Sequence, residues 1–334
     1  MYAEPPDIDR RALVATLEAA WGLRIAELQY EPVGFGSHHY VALDANDARW
    51  FVTVDDLVAE TRHTDDPETA LAALDAALRT AVALRQSGLE FVHAPIEGSG
   101  GVLLVRVGER YAASLFVFID GKTNPSGAYE SMEERRAVLR ALGRLHAAQQ
   151  VATMASVVRR DTLEVPLRAR LADALDNPAV TWHGGPYSEA ARRLLLSSKG
   201  RIQELFERYD ELTAVVRATS EQWVITHGEP HGANVMKTAD GAIFLIDWDT
   251  VALAPRERDL SMVEPQDAGE WAAYTSAAPA KPPQPEAMEM YRLWWRLTEI
   301  TAYAETFRSP HEDDANTQAA WKELQSYVPM AGAQ

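Results

Sequence analysis

The stretch ITHGEPHGANVM (Ile225–Met236), followed by FLIDWD (Phe244–Asp249), is the most informative part of this 334-residue chain. Apolar residues stand on both sides of each polar cluster, a pattern typical of loops that connect β-strands. The first part presents a carboxylate and an amide, Glu229 and Asn234, and the second presents two more carboxylates. A carboxylate can accept a proton from a hydroxyl group, and amide and carboxylate oxygens ligate hard cations. The segment therefore predicts acid/base chemistry beside a metal–phosphate site.

Composition limits the classes of protein that need to be considered. Of the residues, 47% are hydrophobic and 24% are charged, which is typical of one large globular domain or two smaller ones. The chain contains no cysteine, so disulfides, thiolate catalysis and cysteine-ligated zinc or iron–sulfur sites are excluded. A chain without cysteine suits a reducing compartment, and we expect a cytoplasmic location.

The formal net charge of −17 argues against non-specific nucleic-acid binding and against anionic membrane surfaces. An acidic cleft suits a cationic small-molecule substrate, although solubility is the simpler interpretation of the overall charge. The N-terminus, Met1–Asp7, is polar and acidic, unlike a signal peptide. No apolar run approaches the roughly 20 residues of a membrane-spanning helix.

Hydrophobic periodicity predicts an α+β fold with a β-rich first part. A helix is expected from Arg10 to Trp21 and another from Asp66 to Gln86. Strand-like runs and turn residues predict a small antiparallel sheet over residues 28–33, 40–43, 49–54, 102–107 and 111–119.

The pattern becomes mainly helical after residues 118–122. We therefore predict an N-lobe over residues 1–118, which would cover a nucleotide, and a C-lobe over residues 119–334. Two short strands, 223–226 and 243–246, are expected to flank the opening segment. The predicted helices of the second lobe span residues 132–150, 163–175, 189–212, 271–274 and 287–307.

The order His227-Gly228-Glu229, then Asn234, then Ile246-Asp247-Trp248-Asp249 resembles the signature of the aminoglycoside phosphotransferase and choline kinase superfamily. The segments Gly143–His146 and Pro255–Leu260 are similar to supporting motifs of that family. The C-terminal stretch Tyr291–Phe307 resembles the spectinomycin-phosphotransferase-like branch. The resemblance extends over residues 30–320, and its two central motifs are the specific ones.

This resemblance implies a bilobal protein-kinase-like fold and an O-phosphotransferase. The γ-phosphoryl group of ATP or GTP would pass to a hydroxyl of a small molecule. The first expectation for that acceptor is an aminoglycoside- or aminocyclitol-type antibiotic, in resistance or biosynthesis. The implied site consists of Glu229 as base, Asn234 and Asp247 as Mg²⁺ ligands, Asp249 beside the metal or the acceptor, and His227 and Asp259 as structural support.

The same resemblance assigns nucleotide-binding roles in the first lobe. The loop of Gly34, Gly36 and Ser37 would cover the phosphates. The segment Phe116–Ile119, which includes Phe118, would be the hinge that offers backbone groups to a purine.

The chain departs from the family pattern at two positions. The family base is an aspartate, and here it is Glu229, whose extra methylene displaces the carboxylate by about 1.5 Å. The third strand of the family presents a lysine to the phosphates, and here Thr53 stands in its place. The first lysine of the chain is Lys122. Substitutes in the first lobe are Arg49, Arg62, Arg79 and the pair His38-His39.

Two alternatives follow from these departures and from the spacing of the histidines. The first is a kinase-like protein that binds a nucleotide or small molecule without efficient turnover. The second is a metallohydrolase, because His227, Glu229 and His231 share one face of an extended segment. Sequence does not identify the acceptor, the choice between ATP and GTP, or the oligomeric state.

Overall fold

The computed structural model describes residues 1–34, 36–60, 66–124, 128–148, 158–219 and 223–328. An antiparallel sheet dominates the N-terminal part and helices dominate the C-terminal part, so the predicted α+β class is confirmed. Arg62, one of the candidate substitutes for the lysine, lies outside the described residues. The boundary between residues 118 and 119 stays a prediction.

The first helix, α1 (Arg10–Trp21), begins at Asp9, whose carboxylate accepts from the backbone N–H groups of the first turn. It ends at Gly22, whose φ of 66° is a left-handed conformation that glycine adopts without strain. A five-stranded antiparallel sheet follows, with the strand order β1-β2-β3-β5-β4. Its strands are β1 (Ile25–Glu31), β2 (His38–Asp44), β3 (Arg49–Asp56), β4 (Val105–Val107) and β5 (Tyr111–Val117).

Alternation along β3 sends its side chains to two different layers. Val52 and Val54 are fully buried against Leu13 and Leu17 of α1. The intervening Thr53 therefore faces the opposite side of the sheet. On that side the short helix α2 (Leu57–Glu60) and the long helix α3 (Pro67–Gln86) cover the strands.

The C-terminal part begins with β6 (Gly121–Lys122), which pairs with a strand far along the chain, β8 (Val235–Thr238). β8 also pairs with β9 (Ile243–Leu245), and a separate ladder joins β7 (Val224–Thr226) to β10 (Ala252–Ala254). The helices are α4 (Met132–Ala147), α5 (Arg168–Asp176), α6 (Ser188–Ser197), α7 (Lys199–Thr219), α8 (Glu257–Leu260), α9 (Ala268–Tyr274), α10 (Pro285–Arg308) and α11 (Ala315–Tyr327).

The mainly helical character predicted over residues 189–212 is confirmed, and the structure divides this stretch into two helices that meet at Ser198. The N–H of Ser198 bonds to the carbonyls of Leu195 and Leu196, which tightens the last turn and ends α6. The final helix α11 was not predicted from sequence. It begins at Asp314, which forms a capping box with Thr317.

Close helix packing positions the strands that carry the polar loops. α4 and α9 approach so closely that a Cβ on Gly143 would lie 2.0 Å from the carbonyl oxygen of Tyr274. Leu139 and Leu142 of α4 are completely buried in the same cluster as Ile225 of β7. Full burial of one leucine contributes roughly 1.5–3 kcal/mol, so this layer fixes β7 firmly. Among the described residues, no helix is long and apolar enough to cross a membrane.

Candidate active site

The loop that carries Glu229 is fastened at its start by a buried carboxylate. Asp259 of α8 is completely buried and accepts from the backbone N–H groups of His227 (2.9 Å) and Gly228 (2.7 Å). The same carboxylate accepts from Nε2 of His146 on α4 at 3.0 Å. Burial acts to raise the pKa of Asp259, but the His146 hydrogen bond and neighbouring positive charge leave it below its ordinary value. The loop is therefore fastened to the ionised carboxylate of Asp259, which accepts three hydrogen bonds.

Gly228 allows the chain to turn at this anchor. Its φ is +104°, and a Cβ there would lie 2.5 Å from Nη1 of Arg258 and 2.5 Å from Oγ1 of Thr250. Arg258 is buried and donates to Oγ1 of Thr226 at 3.0 Å. A side chain at position 228 is excluded by both the backbone conformation and the packing.

Glu229 and Asn234 are joined across the loop by one hydrogen bond. Nδ2 of Asn234 donates to the carbonyl oxygen of Glu229 at 3.0 Å. Because the amide nitrogen is used in this way, Oδ1 is the atom left to bind a cation. On the other side, the hydroxyl of Tyr129 donates to the carbonyl of Pro230 at 2.5 Å. The Glu229 side chain is half-buried.

Asp247 lies immediately after β9 in a left-handed conformation, with φ of 65°. Such a backbone is uncommon for a non-glycine residue and is often found at functional sites. Its side chain is exposed, and Asp55 of β3 lies close enough for its charge to act on Asp247; we call the space between them the cleft. The dense protein surroundings, then the charges of Asp249 and Glu229, raise the pKa of Asp247 well above its ordinary value. The three carboxylates therefore lie together and repel one another.

These donors fit a magnesium ion, which is the metal that the sequence resemblance implies. Asn234 offers an amide oxygen, and Asp247 and Asp249 offer carboxylates. The negative charges of these two carboxylates repel each other, and a bound cation would relieve the repulsion. Over the described residues, no three histidine, aspartate or glutamate side chains form a complete metal site. Mg²⁺ commonly takes only one or two protein carboxylates and completes its shell with water and substrate phosphates.

His227 is not available as a metal ligand. It is completely buried, its Nε2 donates to the carbonyl of Ile246 at 2.9 Å, and its Nδ1 accepts from the N–H of Glu229 at 3.3 Å. Burial lowers its pKa to about 4, so the ring is neutral. Both ring nitrogens are occupied, which argues against the metallohydrolase set of His227, Glu229 and His231.

The sheet presents its candidate nucleotide residues from the β1–β2 loop and β3. Gly34 and Gly36 both have positive φ, 70° and 102°. Ser37 follows Gly36 and directly precedes β2, and its hydroxyl donates to Oδ1 of Asp55 at 2.6 Å. Thr53 pairs with His39 in the ladder, and its Oγ1 lies 3.4 Å from Nδ1 of that ring.

The candidate hinge follows β5. Phe116 packs beside the ring of His93, with centroids 5.1 Å apart. Phe118 lies under the guanidinium of Arg49 at 4.1 Å. Between these two residues, the carbonyl of Val117 accepts from Nε2 of His93 at 2.9 Å. The contacts of His93 with Phe116 and Val117, and of Arg49 with Phe118, hold the candidate hinge in place.

Sequence reasoning missed Asp55, two positions beyond Thr53 on the same face of β3. The residue is 7% exposed, and it lies close enough to Asp249 for the two charges to interact. Burial raises its pKa to about 7, with the Ser37 hydrogen bond opposing and Asp249 adding to the shift. The period-2 alternation of β3 was the signal that places Asp55 beside Thr53.

Two tryptophans lie near the loop and have different roles. Trp248 is buried, packs its ring at a tilt against His227 with centroids 4.5 Å apart, and donates to the carbonyl of Leu245, so it supports the loop. Trp295 of α10 instead lies edge-on to His231, at 6.3 Å between ring centroids. Its Nε1 donates to the hydroxyl of Tyr327 at 3.2 Å. Folding places this aromatic pair beside the loop of Glu229, from which it is 60 to 100 residues away in sequence.

A family model for the phosphotransferase enzyme family (APH) matches residues 31–291 of this chain. The chain is also 30% identical over 263 residues to Protein StrN of Streptomyces griseus, a match that covers 76% of each protein. Both comparisons confirm the resemblance found in the sequence.

Solved structures share the fold at low sequence identity. A spectinomycin phosphotransferase in complex with ADP and spectinomycin has a TM-score of 0.72 and 16% identity, covering 96% of this chain and 94% of its own. An amicoumacin kinase in complex with AMP-PNP, Ca²⁺ and Ami has a TM-score of 0.60 and 12% identity, covering 96% of this chain and 93% of its own. The macrolide 2'-phosphotransferase type I has a TM-score of 0.53 and 13% identity, covering 98% of both chains. From its matching family model, its relative and its fold, this chain belongs to the phosphotransferase enzyme family.

Proposed function

We propose that this phosphotransferase moves the γ-phosphoryl group of ATP or GTP to a hydroxyl group of a cationic small molecule. An aminoglycoside or aminocyclitol is the first candidate acceptor. The observation that carries the proposal is the joint placement of Glu229, Asn234 and Asp247 on one anchored loop and the strand end beside it. The relatives' names and the complexes of the solved neighbours support the same class of reaction.

Glu229 is the proposed proton acceptor. Its backbone N–H and carbonyl bond to His227 and Asn234, and the hydroxyl of Tyr129 holds the next residue, Pro230. Such anchoring suits a base that must meet a hydroxyl within hydrogen-bond distance. The longer glutamate side chain then reaches an acceptor that lies about 1.5 Å farther from the loop than an aspartate would require.

Asn234 and Asp247 are the proposed Mg²⁺ ligands, and Asp249 supports the metal or the acceptor. When bound, the ion would neutralise charge on the β- and γ-phosphates. In the first lobe we assign Gly34, Gly36 and Ser37 to phosphate covering, with Thr53 at the lysine position. Phe116 and Phe118 are assigned to the base-binding hinge. The lobes of this assignment are residues 1–118 and 119–334. A nucleotide co-substrate also fits a cytoplasmic location.

An acidic and aromatic wall supports a cationic acceptor. Glu299 of α10 is half-buried, and burial raises its pKa to about 7, with a Tyr303 hydrogen bond opposing and Glu323 adding to the shift. Tyr303 stacks on Tyr327 at 6.4 Å, and Tyr327 lies close enough to Glu229 for that charge to act on it. A carboxylate with aromatic faces nearby is a favourable environment for an ammonium group.

The proposal is tested by a nucleotide-consumption screen with purified protein. ATP and GTP are each supplied with Mg²⁺ and a panel of aminoglycosides, aminocyclitols, macrolides, nucleosides and amino sugars. We expect ADP or GDP to form only with a hydroxylated amine, and Glu299→Gln to raise KM for that acceptor more than it lowers kcat. Nucleotide binding without turnover across the panel would favour the kinase-like binding protein instead.

A further inference from the structure

His231 stands two residues beyond Glu229, and its ring lies beside that carboxylate. Its Nε2 is 3.9 Å from Oε2 of Glu229, and the two side chains are 31% and 27% exposed. The other ring nitrogen, Nδ1, is buried and has no hydrogen-bond partner among the described residues. The ring therefore has one nitrogen next to the proposed base and one nitrogen enclosed by protein.

The backbone of His231 is fixed independently of its ring. Its carbonyl oxygen accepts from the N–H of Asn234 at 2.9 Å, and it directly precedes the short 3₁₀ turn Gly232–Asn234. On its other side, the carbonyl of Pro230 accepts from the hydroxyl of Tyr129. A substitution of the His231 side chain should therefore leave the path of the loop unchanged.

Aromatic packing keeps the His231 ring next to Glu229. The ring lies edge-on to Trp295 of α10, with 6.3 Å between the ring centroids. Trp295 donates from Nε1 to the hydroxyl of Tyr327 at 3.2 Å, and Arg296 donates from Nε to the carbonyl of Tyr327 at 2.8 Å. Edge-to-face geometry is a favoured arrangement of aromatic rings, so α10 and α11 together hold the imidazole in this orientation.

We assign the ring proton of neutral His231 to Nε2. A proton on Nδ1 would bury an N–H without an acceptor, and it would leave the lone pair of Nε2 beside a carboxylate. A proton on Nε2 makes that nitrogen a donor to the carboxylate instead. The imidazolium form carries the same Nε2–H, so the ring can donate to Glu229 in either state.

A glutamate base has more need of such a partner than an aspartate base. Glutamate has one more rotatable side-chain bond than aspartate, so fixing its carboxylate in one position costs more entropy. The family pattern has an aspartate here, and Glu229 carries its carboxylate about 1.5 Å farther from the backbone. Orientation of the reacting groups is a large part of catalysis, so a mobile base would be a poor one.

We propose that His231 is a positioning residue that holds the carboxylate of Glu229 toward the acceptor hydroxyl. The Nε2–H of His231 donates to one carboxylate oxygen, and the 3.9 Å separation closes to hydrogen-bond distance in the complex with the acceptor. The other carboxylate oxygen takes the hydroxyl proton, the acceptor oxygen bonds to the γ-phosphorus, and the nucleoside diphosphate leaves. The inference rests on the proposed function, because it requires Glu229 to be the base.

Two substitutions at position 231 separate positioning from packing. His231→Gln loses the ring but keeps an N–H donor near the place of Nε2, whereas His231→Phe keeps an aromatic ring and has no donor. With the acceptor found in the screen, we expect kcat to fall about tenfold in His231→Phe and to stay within about threefold of the wild type in His231→Gln. The reverse order would overturn the inference in favour of a packing role. His183→Gln, at an exposed histidine, is the matched control and should keep the wild-type kcat.

A double-mutant cycle tests whether His231 acts through the longer base. Glu229→Asp alone should lower kcat by about 10–100-fold, and adding His231→Phe to it should lower kcat by less than about twofold more. The shorter aspartate no longer meets the imidazole, so the second substitution has little left to remove. A double variant that loses the full product of the two single effects would overturn the inference.

Substrate affinities distinguish the remaining outcomes. Both His231 variants should bind AMP-PNP with Mg²⁺ within about twofold of the wild type, which also shows that they fold, and KM for the acceptor should change by a similarly small factor. A raised acceptor KM at the wild-type kcat in His231→Phe would make His231 an acceptor ligand, and a tenfold loss of AMP-PNP affinity would make it part of the nucleotide site. Either result overturns the inference and leaves the proposed function intact. Failure of the wild type to phosphorylate any acceptor would instead reject the proposed function.

Discussion

The C-terminal side of the cleft is tied together by buried hydrogen bonds, whereas the sheet side carries neutral or acidic groups where a lysine is expected. Asp259 bonds to two backbone N–H groups and to His146, and it keeps the start of the loop in one place. Thr53 across the cleft makes one long contact with His39, at 3.4 Å. The loop of Glu229 is therefore strongly constrained, while the sheet side lacks the positive charge of the family pattern at position 53.

The largest effect is expected from Asp247→Asn on the constrained side. Loss of this carboxylate removes a proposed metal ligand, which should cost about 4 kcal/mol of transition-state stabilisation, or about 1,000-fold in kcat. Steady-state kinetics with the acceptor found in the screen measures this. Asp240→Asn, in the exposed turn between β8 and β9, is the matched control and should behave as wild type. Wild-type kcat in Asp247→Asn would remove Asp247 from the mechanism.

A second effect on the same side is expected at Glu229. Glu229→Gln keeps the shape and removes the proton acceptor, so kcat should fall by about 100- to 1,000-fold. Glu229→Asp restores the family residue but withdraws the carboxylate by about 1.5 Å. Its kcat should fall by a smaller factor, about 10–100. The pH profile of kcat distinguishes the two variants, because only the aspartate keeps a titrating base. Equal activity of Glu229→Asp and wild type would show that the loop does not fix the position of the carboxylate.

The anchoring of the loop should make folding stability depend on pH. Histidine in an unfolded chain has a pKa near 6.5, and burial lowers the folded-state pKa of His227 to about 4. Between these values the unfolded state binds more protons, so stability falls as the pH falls from about 6.5 to 4. The loss from this one residue approaches about 3 kcal/mol.

Urea unfolding at pH 7 and pH 4.5 measures this dependence. In His227→Gln the free energy of unfolding should change less between pH 7 and pH 4.5, and the variant should be less stable than the wild type at pH 7. His183→Gln, at an exposed histidine, should leave the dependence as in the wild type. An unchanged slope in His227→Gln would assign the acid sensitivity to other buried groups, such as His38 and His39.

The smallest effect is expected on the sheet side, from Thr53→Ala. A hydrogen bond of 3.4 Å contributes about 1 kcal/mol or less, so KM for the nucleotide should rise by no more than about fivefold. Isothermal titration calorimetry with AMP-PNP compares the nucleotide affinities of the wild type and Thr53→Ala directly. A loss of 100-fold or more would mean that the Thr53 hydroxyl itself takes over the work of the lysine, which would erase the contrast between the two sides.

Local signals made much of this molecule predictable. α1 and α3 were placed correctly because Asp9 and Asp66 cap their first turns and Gly22 ends the first of them. Glu229, Asn234 and Asp247 were chosen as candidates because polar residues that follow short apolar runs lie at strand ends, and the structure does place them near strand ends. These features depend on neighbours within a few residues.

The missed features depend on contacts between distant parts of the chain. Asp55 gained its significance only when folding brought β3 opposite Asp249, almost 200 residues later. Trp295 and Tyr327 lie beside the loop of Glu229 because α10 and α11 pack together there. A local pattern carries no information on which helix packs against a given loop, so the position of this aromatic pair could not be predicted.

The most direct test of phosphoryl transfer is mass spectrometry of the acceptor after incubation with ATP and Mg²⁺. The proposed function predicts one phosphoryl group on the acceptor, in an amount equal to the ADP formed. Asp240→Asn should give the same products and Asp247→Asn neither of them. Hydrolysis of ATP with no phosphorylated acceptor, or a phosphorylated acceptor formed at the wild-type rate by Asp247→Asn, would contradict it.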